Sequence, residues 1–426
     1  MTVPPFYLGI DFGTSGVRAV AIDGEGAVVA EARVALPPPL RIDGGSEQAP
    51  QLWWQGLEAT LDRLRERISF QEIAALAVDG TSGTLLLADQ NGKPLTPALM
   101  YNDGRSQREA TLIETIAPRA SAAHGATSAL AKLLYLKPGR QARHALHQAD
   151  WIVGRLTGQF GISDENNCLK LGYDPIAKQW PQWLDRLGVR RQLLPRVVTP
   201  ASVIGPLSPS IQQRFGLNPS CQVVAGTTDS TAAFIATGAK EVGEAVTSLG
   251  STLVLKVISQ QPVFSPEHGV YAQPLGQHWL VGGGSNSGGA VLLHYFSEEE
   301  MERMTPLLRP DQATGYDYYP LLSPGERFPL NDPHLVPRLT PRPADDKIFF
   351  QGILEGMARI EHEGYRRLEA LGAPYPTSVR CAGGGCRNPA WNRIRQWLLK
   401  IPFVASHHQE AAYGSALLAR KGCIGL

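Results

Sequence analysis

The chain has 426 residues, long enough for two or three domains and a sizeable core. Lys and Arg number 40 against 39 Asp and Glu, with no run of like charge, which argues against a general binder of nucleic acid or of a membrane surface. The apolar fraction of 43% is ordinary for a soluble globular protein.

The start, Met1-Thr-Val-Pro-Pro5, carries no basic or apolar leader region, so a cytoplasmic location is expected. The first predicted elements are two short apolar strands at 6–10 and 18–22. The turn between them carries Asp11, Gly13, Thr14, Ser15 and Gly16. Glycines let backbone N–H groups approach an anion, and hydroxyls hold phosphate oxygens. A carboxylate beside phosphate makes sense only with a divalent cation or a sugar hydroxyl between them. This turn therefore suggests a metal–nucleotide site, the alternative being an ordinary glycine-rich hairpin.

A third strand follows at 27–34. Apolar residues at helical spacing predict a helix over 52–68, in which Trp53 and Trp54 read as packing. Strands are expected at 73–78 and 85–88, the second running into the turn Asp89-Gln-Asn-Gly92. A second group of strands, at 222–225, 244–249 and 253–257, reads as a related opening, with Thr227, Thr228, Asp229 and Ser230 in its first turn. The boundary between halves is placed at 237–243, giving domains 1–240 and 241–426. Helices are predicted over 349–371, 389–399 and 411–419, with a strand at 379–382. Alternating strands and helices define an α/β protein. Stretches 205–219 and 323–343, rich in Pro, Gly and Ser, read as loops.

The five cysteines are scattered. Cys381 and Cys386 bracket a glycine run with no second pair to complete a zinc site, and all five read as buried or idle thiols. His407-His408 beside Glu410 reads as solvent-exposed. No apolar run is long enough to span a bilayer.

No Walker A motif and no complete Rossmann glycine fingerprint occurs. Three glycine-centred turns stand in their place: 11–16, Ser248-Leu-Gly-Ser-Thr252, and Ala382-Gly-Gly-Gly-Cys-Arg-Asn388. The first two can clamp the phosphates of one nucleotide from opposite sides. The third offers a flat glycine surface to an adenine ring, with Asn388 near ribose or ring atoms; close strand–helix packing is the alternative.

These pieces resemble the FGGY carbohydrate kinases. The resemblance covers nearly the whole chain and rests on Gly9-Ile-Asp-Phe-Gly-Thr-Ser15, Gly226-Thr-Thr-Asp-Ser-Thr231, Ser248-Leu-Gly-Ser-Thr252, Gly283-Gly-Ser-Asn-Ser-Gly-Gly-Ala-Val-Leu292, Gly325-Glu-Arg-Phe-Pro329, Gly383-Gly-Gly-Cys-Arg-Asn388 and Glu410-Ala-Ala-Tyr-Gly-Ser-Ala416, in the family's order. It implies two ribonuclease-H-like ATPase domains of the actin and hexokinase type with a cleft between them. It also implies Mg2+ and ATP as cofactor and substrate, a small sugar as partner, and no nucleic acid or membrane, with a homodimer left open.

By position, Asp229 matches the family's general base, helix capping being the alternative. Asp11 matches the carboxylate near Mg2+ and the sugar. Gly13, Thr14 and Ser15 match the first phosphate turn and Gly250, Ser251 and Thr252 the second. Gly383, Gly384 and Asn388 match the adenosine site. Ser82 and Asp103 are the candidates for sugar hydroxyls. Thr81-Ser82 replaces the Met-His usual in xylulokinases, Tyr101 replaces a Trp, and Lys132-Leu-Leu-Tyr135 stands for a Lys-x-x-Trp element. The implied reaction is ATP-dependent phosphorylation of a ketopentose at its terminal hydroxyl, with D-ribulose first and D-xylulose second. The rival is a non-enzymatic ATP-dependent switch of the actin or chaperone type.

Overall fold

Continuous apolar runs at the start of the chain fold as strands buried along most of their length, as the inner strands of a covered sheet are. The computed structural model describes residues 5–424, and every count below refers to those residues. The chain divides into two units. The first runs to Ala236 and takes in the chain again from Glu410 onward; the second is Thr237–Gln409.

The first unit is built on a six-stranded sheet. Its strands are β1 (Phe6–Phe12), β2 (Gly16–Ile22), β3 (Val28–Ala35), β4 (Ile73–Gly80), β5 (Val203–Pro206) and β6 (Gln222–Val224), in the order β5-β6-β4-β1-β2-β3. The first three pair antiparallel, and β4 runs parallel to β1. Helix α1 (Pro50–Arg65) begins with proline in its first turn and buries Trp53, Leu57, Leu61 and Leu64 against the sheet. Trp53 donates its indole N–H to Gln48 and packs edge-on to Trp151 at 6.1 Å, which makes it a core residue. A smaller five-stranded sheet takes in Leu85–Ala88 and His144–His147, with helix α2 (Gln148–Thr157) following the latter.

Helix α3 (Asp229–Ala236) and the C-terminal helix (Ala411–Ile424) belong to the same unit. The C-terminal helix packs on β1, β2, β4 and α3 through a face of small residues. Gly9 is what lets it approach: a Cβ there would stand 1.9 Å from the Ala412 carbonyl oxygen and 2.2 Å from the Ala416 nitrogen. Gly9→Ala forces backbone apart, and the expected loss is about 1–3 kcal/mol or more in chemical denaturation. By its packing the last helix groups with the first unit, where Gly9 admits its close approach.

The second unit carries a five-stranded sheet of β7 (Glu244–Leu249), β8 (Leu253–Ser259), β9 (Tyr271–Leu275), β10 (His278–Ser285) and β11 (Ser378–Ala382), ordered β9-β10-β8-β7-β11. The run β11-β7-β8-β10 repeats the pairing of β4-β1-β2-β3: an antiparallel meander with one parallel strand beside its first member. The strand at 222–224 is not part of this second opening. It pairs with β4 in the first unit, correcting the grouping expected from sequence. Helix α4 (Asp346–Ala370) crosses the core of this unit, and α5 (Pro389–Leu399) packs on it. Cys381 and Cys386 form a disulfide, so they are not the idle thiols expected; Cys168 and Cys221 are buried and free. No described helix is long and apolar enough to cross a membrane.

Candidate active site

Sheet register assembles the carboxylates of the first unit. Asp11 on β1 stands opposite Arg18 on β2 and beside Asp79 on β4. Side chains in lateral register share one face of a sheet, so both neighbours meet Asp11. Arg18 Nη1 lies 3.1 Å from Asp11 Oδ2, and its Nε is 3.4 Å from Glu410. Asp79 is fully buried. Its Oδ2 accepts a hydrogen bond from the Ser415 hydroxyl of the C-terminal helix, while its Oδ1 is buried with no hydrogen-bond partner among the described residues. Burial, and then the Asp11 charge, push the Asp79 carboxyl well above the usual carboxylate range. Burial raises Asp11 too, against the opposing effects of Asp79 and Arg18. Of the two, Asp79 is pushed up further, being the more buried member and the one without an arginine.

The hairpin turn between β1 and β2 is closed by the Gly13 N–H donating to the Gly16 carbonyl at 3.0 Å. It leaves Thr14 half-buried and Ser15 exposed at its tip. Asp229 is the first residue of α3, half-buried, with its Oδ1 accepting from the Ser230 N–H at 2.7 Å. The preceding residue, Thr228, bridges to Gly80, so the end of β4 and the start of α3 are adjacent.

The turn after β4 carries Ser82. Thr81 is held by the Gln148 amide oxygen, which accepts from its N–H at 3.0 Å and its hydroxyl at 2.8 Å. Lys132, fully buried, donates to the Gly83 carbonyl at 2.7 Å and the Thr127 carbonyl at 2.9 Å. Thr81 is thereby buried, leaving Ser82 as the half-buried hydroxyl of the turn. Burial pulls the Lys132 amine down to about 7, and a neutral amine has two N–H groups for its two carbonyl partners. Its folded value lies below the unfolded one of about 10.4, so the unfolded chain binds more protons between them and stability is lost as pH falls through that window. Wild type should therefore gain stability relative to Lys132→Met by about 1 kcal/mol per pH unit from 7 to 9, read by denaturant unfolding at each pH.

Asp103 is corrected by the structure. It is fully buried, and its carboxylate accepts from the Ser46 N–H at 2.7 Å, from the Arg105 N–H, and from the Arg105 guanidinium at 2.7–3.2 Å. These donors, the guanidinium foremost, hold its pKa below the usual range against the cost of burial. No face of it is left for a sugar hydroxyl. It positions Arg105, which also pairs with Glu47 at 2.6 Å. Sequence reasoning passed over Gln148 and Lys170; the only local signal for Lys170 was a charge set between Leu169 and Leu171 in an otherwise uncharged run.

In the second unit an open cavity of about 550 Å³ is lined by Leu249, Gly250, Ser251, Gly384, Asn388 and Trp391, among others. Gly250 and Ser251 lie exposed in the β7–β8 turn, with Thr252 half-buried beside them. The turn is anchored by the Gly289 N–H on the Gly250 carbonyl at 2.8 Å. Gly383 has φ 89°, and a Cβ there would lie 2.7 Å from the Leu249 carbonyl oxygen, so glycine is required. A Cβ on Gly384 would meet only the Arg387 guanidinium, at 3.7 Å. The Asn388 side chain is anchored: its Oδ1 caps α5 by accepting from the Trp391 N–H at 3.0 Å, and its Nδ2 donates to Thr305 at 3.1 Å. Its amide serves the helix start, a strong preference of Asn, from a position in the lining of the cavity. His407 is exposed, and no described group of three His, Cys, Asp or Glu could hold a metal.

The duplicated sheet pattern and the glycine turns at corresponding strand ends define a two-domain ATPase fold of the actin and hexokinase type. The chain belongs to the FGGY family of carbohydrate kinases: residues 6–236 match the family's N-terminal domain and residues 245–422 its C-terminal domain. It is 27% identical over 412 residues to a xylulose kinase of Escherichia coli (strain K12), covering 91% of this chain and 84% of that protein. A gluconokinase of Bacillus subtilis (strain 168) is 23% identical over 441 residues, covering 98% and 88%. The solved structure of a xyloylose kinase from Brucella ovis superposes with a TM-score of 0.91 at 27% identity, over 99% of this chain and 91% of that one. The chain is thus a sugar kinase by family.

Proposed function

We propose that this chain transfers the γ-phosphoryl group of ATP to the terminal hydroxyl of a ketopentose, D-ribulose in the first place and D-xylulose in the second, in the cytoplasm. The observation that carries the reading is the half-buried carboxylate of Asp229, set at a helix start one residue from the Thr228–Gly80 bridge. Asp229 accepts the proton of the attacking hydroxyl, the role the reaction demands of one group. The Ser82 hydroxyl reads a sugar hydroxyl, which favours a polar acceptor, since a missing hydroxyl would leave it unpaired. The xylulose kinases among the relatives support D-xylulose at least as well as D-ribulose.

Thr14 and Ser15, in the turn that the Gly13 N–H closes, would hold phosphate oxygens, as would the turn at Gly250, Ser251 and Thr252. Gly383 and Gly384 offer bare backbone to adenosine. A divalent cation suits the Asp11 carboxylate, which stands in β1 just before the hairpin turn and is the hard oxygen donor such a cation takes. Asp11 would hold Mg2+, which when bound supplies charge neutralisation at the transferring group. The test is ADP release with D-ribulose, D-xylulose, L-ribulose and glycerol. Activity on none of them overturns the reading, and ATP hydrolysis indifferent to sugar but stimulated by peptide favours the switch.

A further inference from the structure

Two lysines flank the turn that carries Ser82, and only one of them is spoken for. Lys132 is saturated by two carbonyls. Lys170, on the single turn Leu169–Leu171, is half-buried. Its Nζ lies 3.9 Å and its Cδ 3.2 Å from the point where a Cβ on Gly83 would stand, so the side chain runs along the outside of that turn. Its charge faces Asp229, while burial lowers its pKa. No hydrogen bond from its ammonium is made to another described residue. The segment is docked by Asn166, which donates to the Thr227 hydroxyl at 3.0 Å, two residues before Asp229.

We infer that Lys170 is an acceptor-binding residue, donating a hydrogen bond to an oxygen of a neutral polyhydroxylated acceptor held beside Ser82 and Asp229. The inference rests on the kinase reading and deepens it. The ammonium is not among the fully buried atoms, so it is open to an oxygen of a bound acceptor, and Lys170 is the cation that lies along the turn carrying Ser82. Its charge is balanced by Asp229, and Arg18 is balanced by Asp11, with Glu410 beside it. Lys170 and Arg18, described cations beside these groups, thus each already face a carboxylate. The acceptor is therefore an uncharged ketose and not a sugar acid.

The experiment is steady-state kinetics of the full chain at saturating ATP, comparing wild type with Lys170→Met, Lys170→Gln and Lys170→Arg on D-ribulose, D-xylulose and D-gluconate. In Lys170→Met the KM for the preferred ketose should rise roughly 10- to 100-fold, the effect of losing a hydrogen bond from a charged donor. Its kcat should stay within about threefold of wild type, the pattern of lost ground-state binding. Lys170→Arg should recover part of the affinity, and D-gluconate should be a poor acceptor throughout. A KM changed by less than about twofold in Lys170→Met, or D-gluconate as the best acceptor, overturns the inference. A wild type inactive on every ketose sinks the kinase reading itself, a different outcome. Should Lys170→Met lose its thermal transition, Lys170→Gln is read in its place. Loss of folding in all three variants makes the lysine structural and overturns the inference as well.

Discussion

Asp229→Ala is expected to lower kcat on the preferred ketose by roughly 10²–10⁴-fold, the usual range for a lost general base, with the KM for ATP nearly unchanged. The residue opens α3, where its carboxylate takes one backbone N–H from Ser230. The helix has other support at this end: the Thr228 and Thr231 hydroxyls bond at 2.9 Å, and the Thr228 carbonyl accepts from the Thr231 and Ala232 N–H groups. Removing the carboxylate costs the helix start about 1 kcal/mol as a cap and takes a balancing charge from Lys170, so turnover is read beside the stability of each variant. Asp229→Asn keeps size and hydrogen bonding but cannot take a proton, so its turnover should fall to a similar level. Initial rates of ADP formation, beside thermal melting of each variant, separate the two contributions. Turnover near wild type in either variant would remove Asp229 from the proposed role.

The largest effect on stability is expected from Glu361→Ala in the second unit. Glu361 on α4 and Arg395 on α5 form a bidentate pair at 2.6 and 2.7 Å, both side chains essentially without solvent contact. The carboxylate also accepts from the Thr247 hydroxyl on β7 at 2.6 Å, so one group ties two helices to that strand. Arg395 is further held by Asn392 at 3.0 Å and lies 4.9 Å from the centre of the Phe403 ring. Alanine at 361 strands a buried guanidinium, and the expected cost is about 3–5 kcal/mol. For a unit of this size that corresponds to a fall of roughly 6–20 °C in Tm. The exposed pair Arg393–Asp311, similar in length at 2.9 Å, should contribute no more than about 1 kcal/mol. Replacing both buried partners with apolar residues, as Glu361→Leu with Arg395→Met, should recover most of the loss. A Glu361→Ala Tm within a degree or two of wild type would show that water reaches the arginine.

Local features were readable wherever a short stretch carries its own instructions. The hairpin from Phe6 to Ile22 was placed by apolar runs around a glycine turn, although both strands extend further than expected and put Asp11 inside β1. Pro389 marked the start of α5 at the residue observed, because proline at a first turn needs no backbone N–H. Asp103 failed for the opposite reason. Its neighbours in sequence read as a polar turn, while the donors that bury it come from Ser46, 57 positions away, and from Arg105, oriented in turn by Glu47. The disulfide was missed because spacing alone does not report which Cβ atoms face each other.

What the amino-acid order determined by itself was the family, the alternation of strands and helices, and the glycine turns. Each depends on residues within a few positions of one another and on backbone freedom that glycine alone supplies. What only the tertiary structure decided was which buried charges meet. Asp79 reaches Ser415 across 336 positions, Lys170 comes to Gly83 and Asp229, and the last helix returns to the first unit. These meetings follow from strand register and close helix approach, and burial then sets the charge each group can hold.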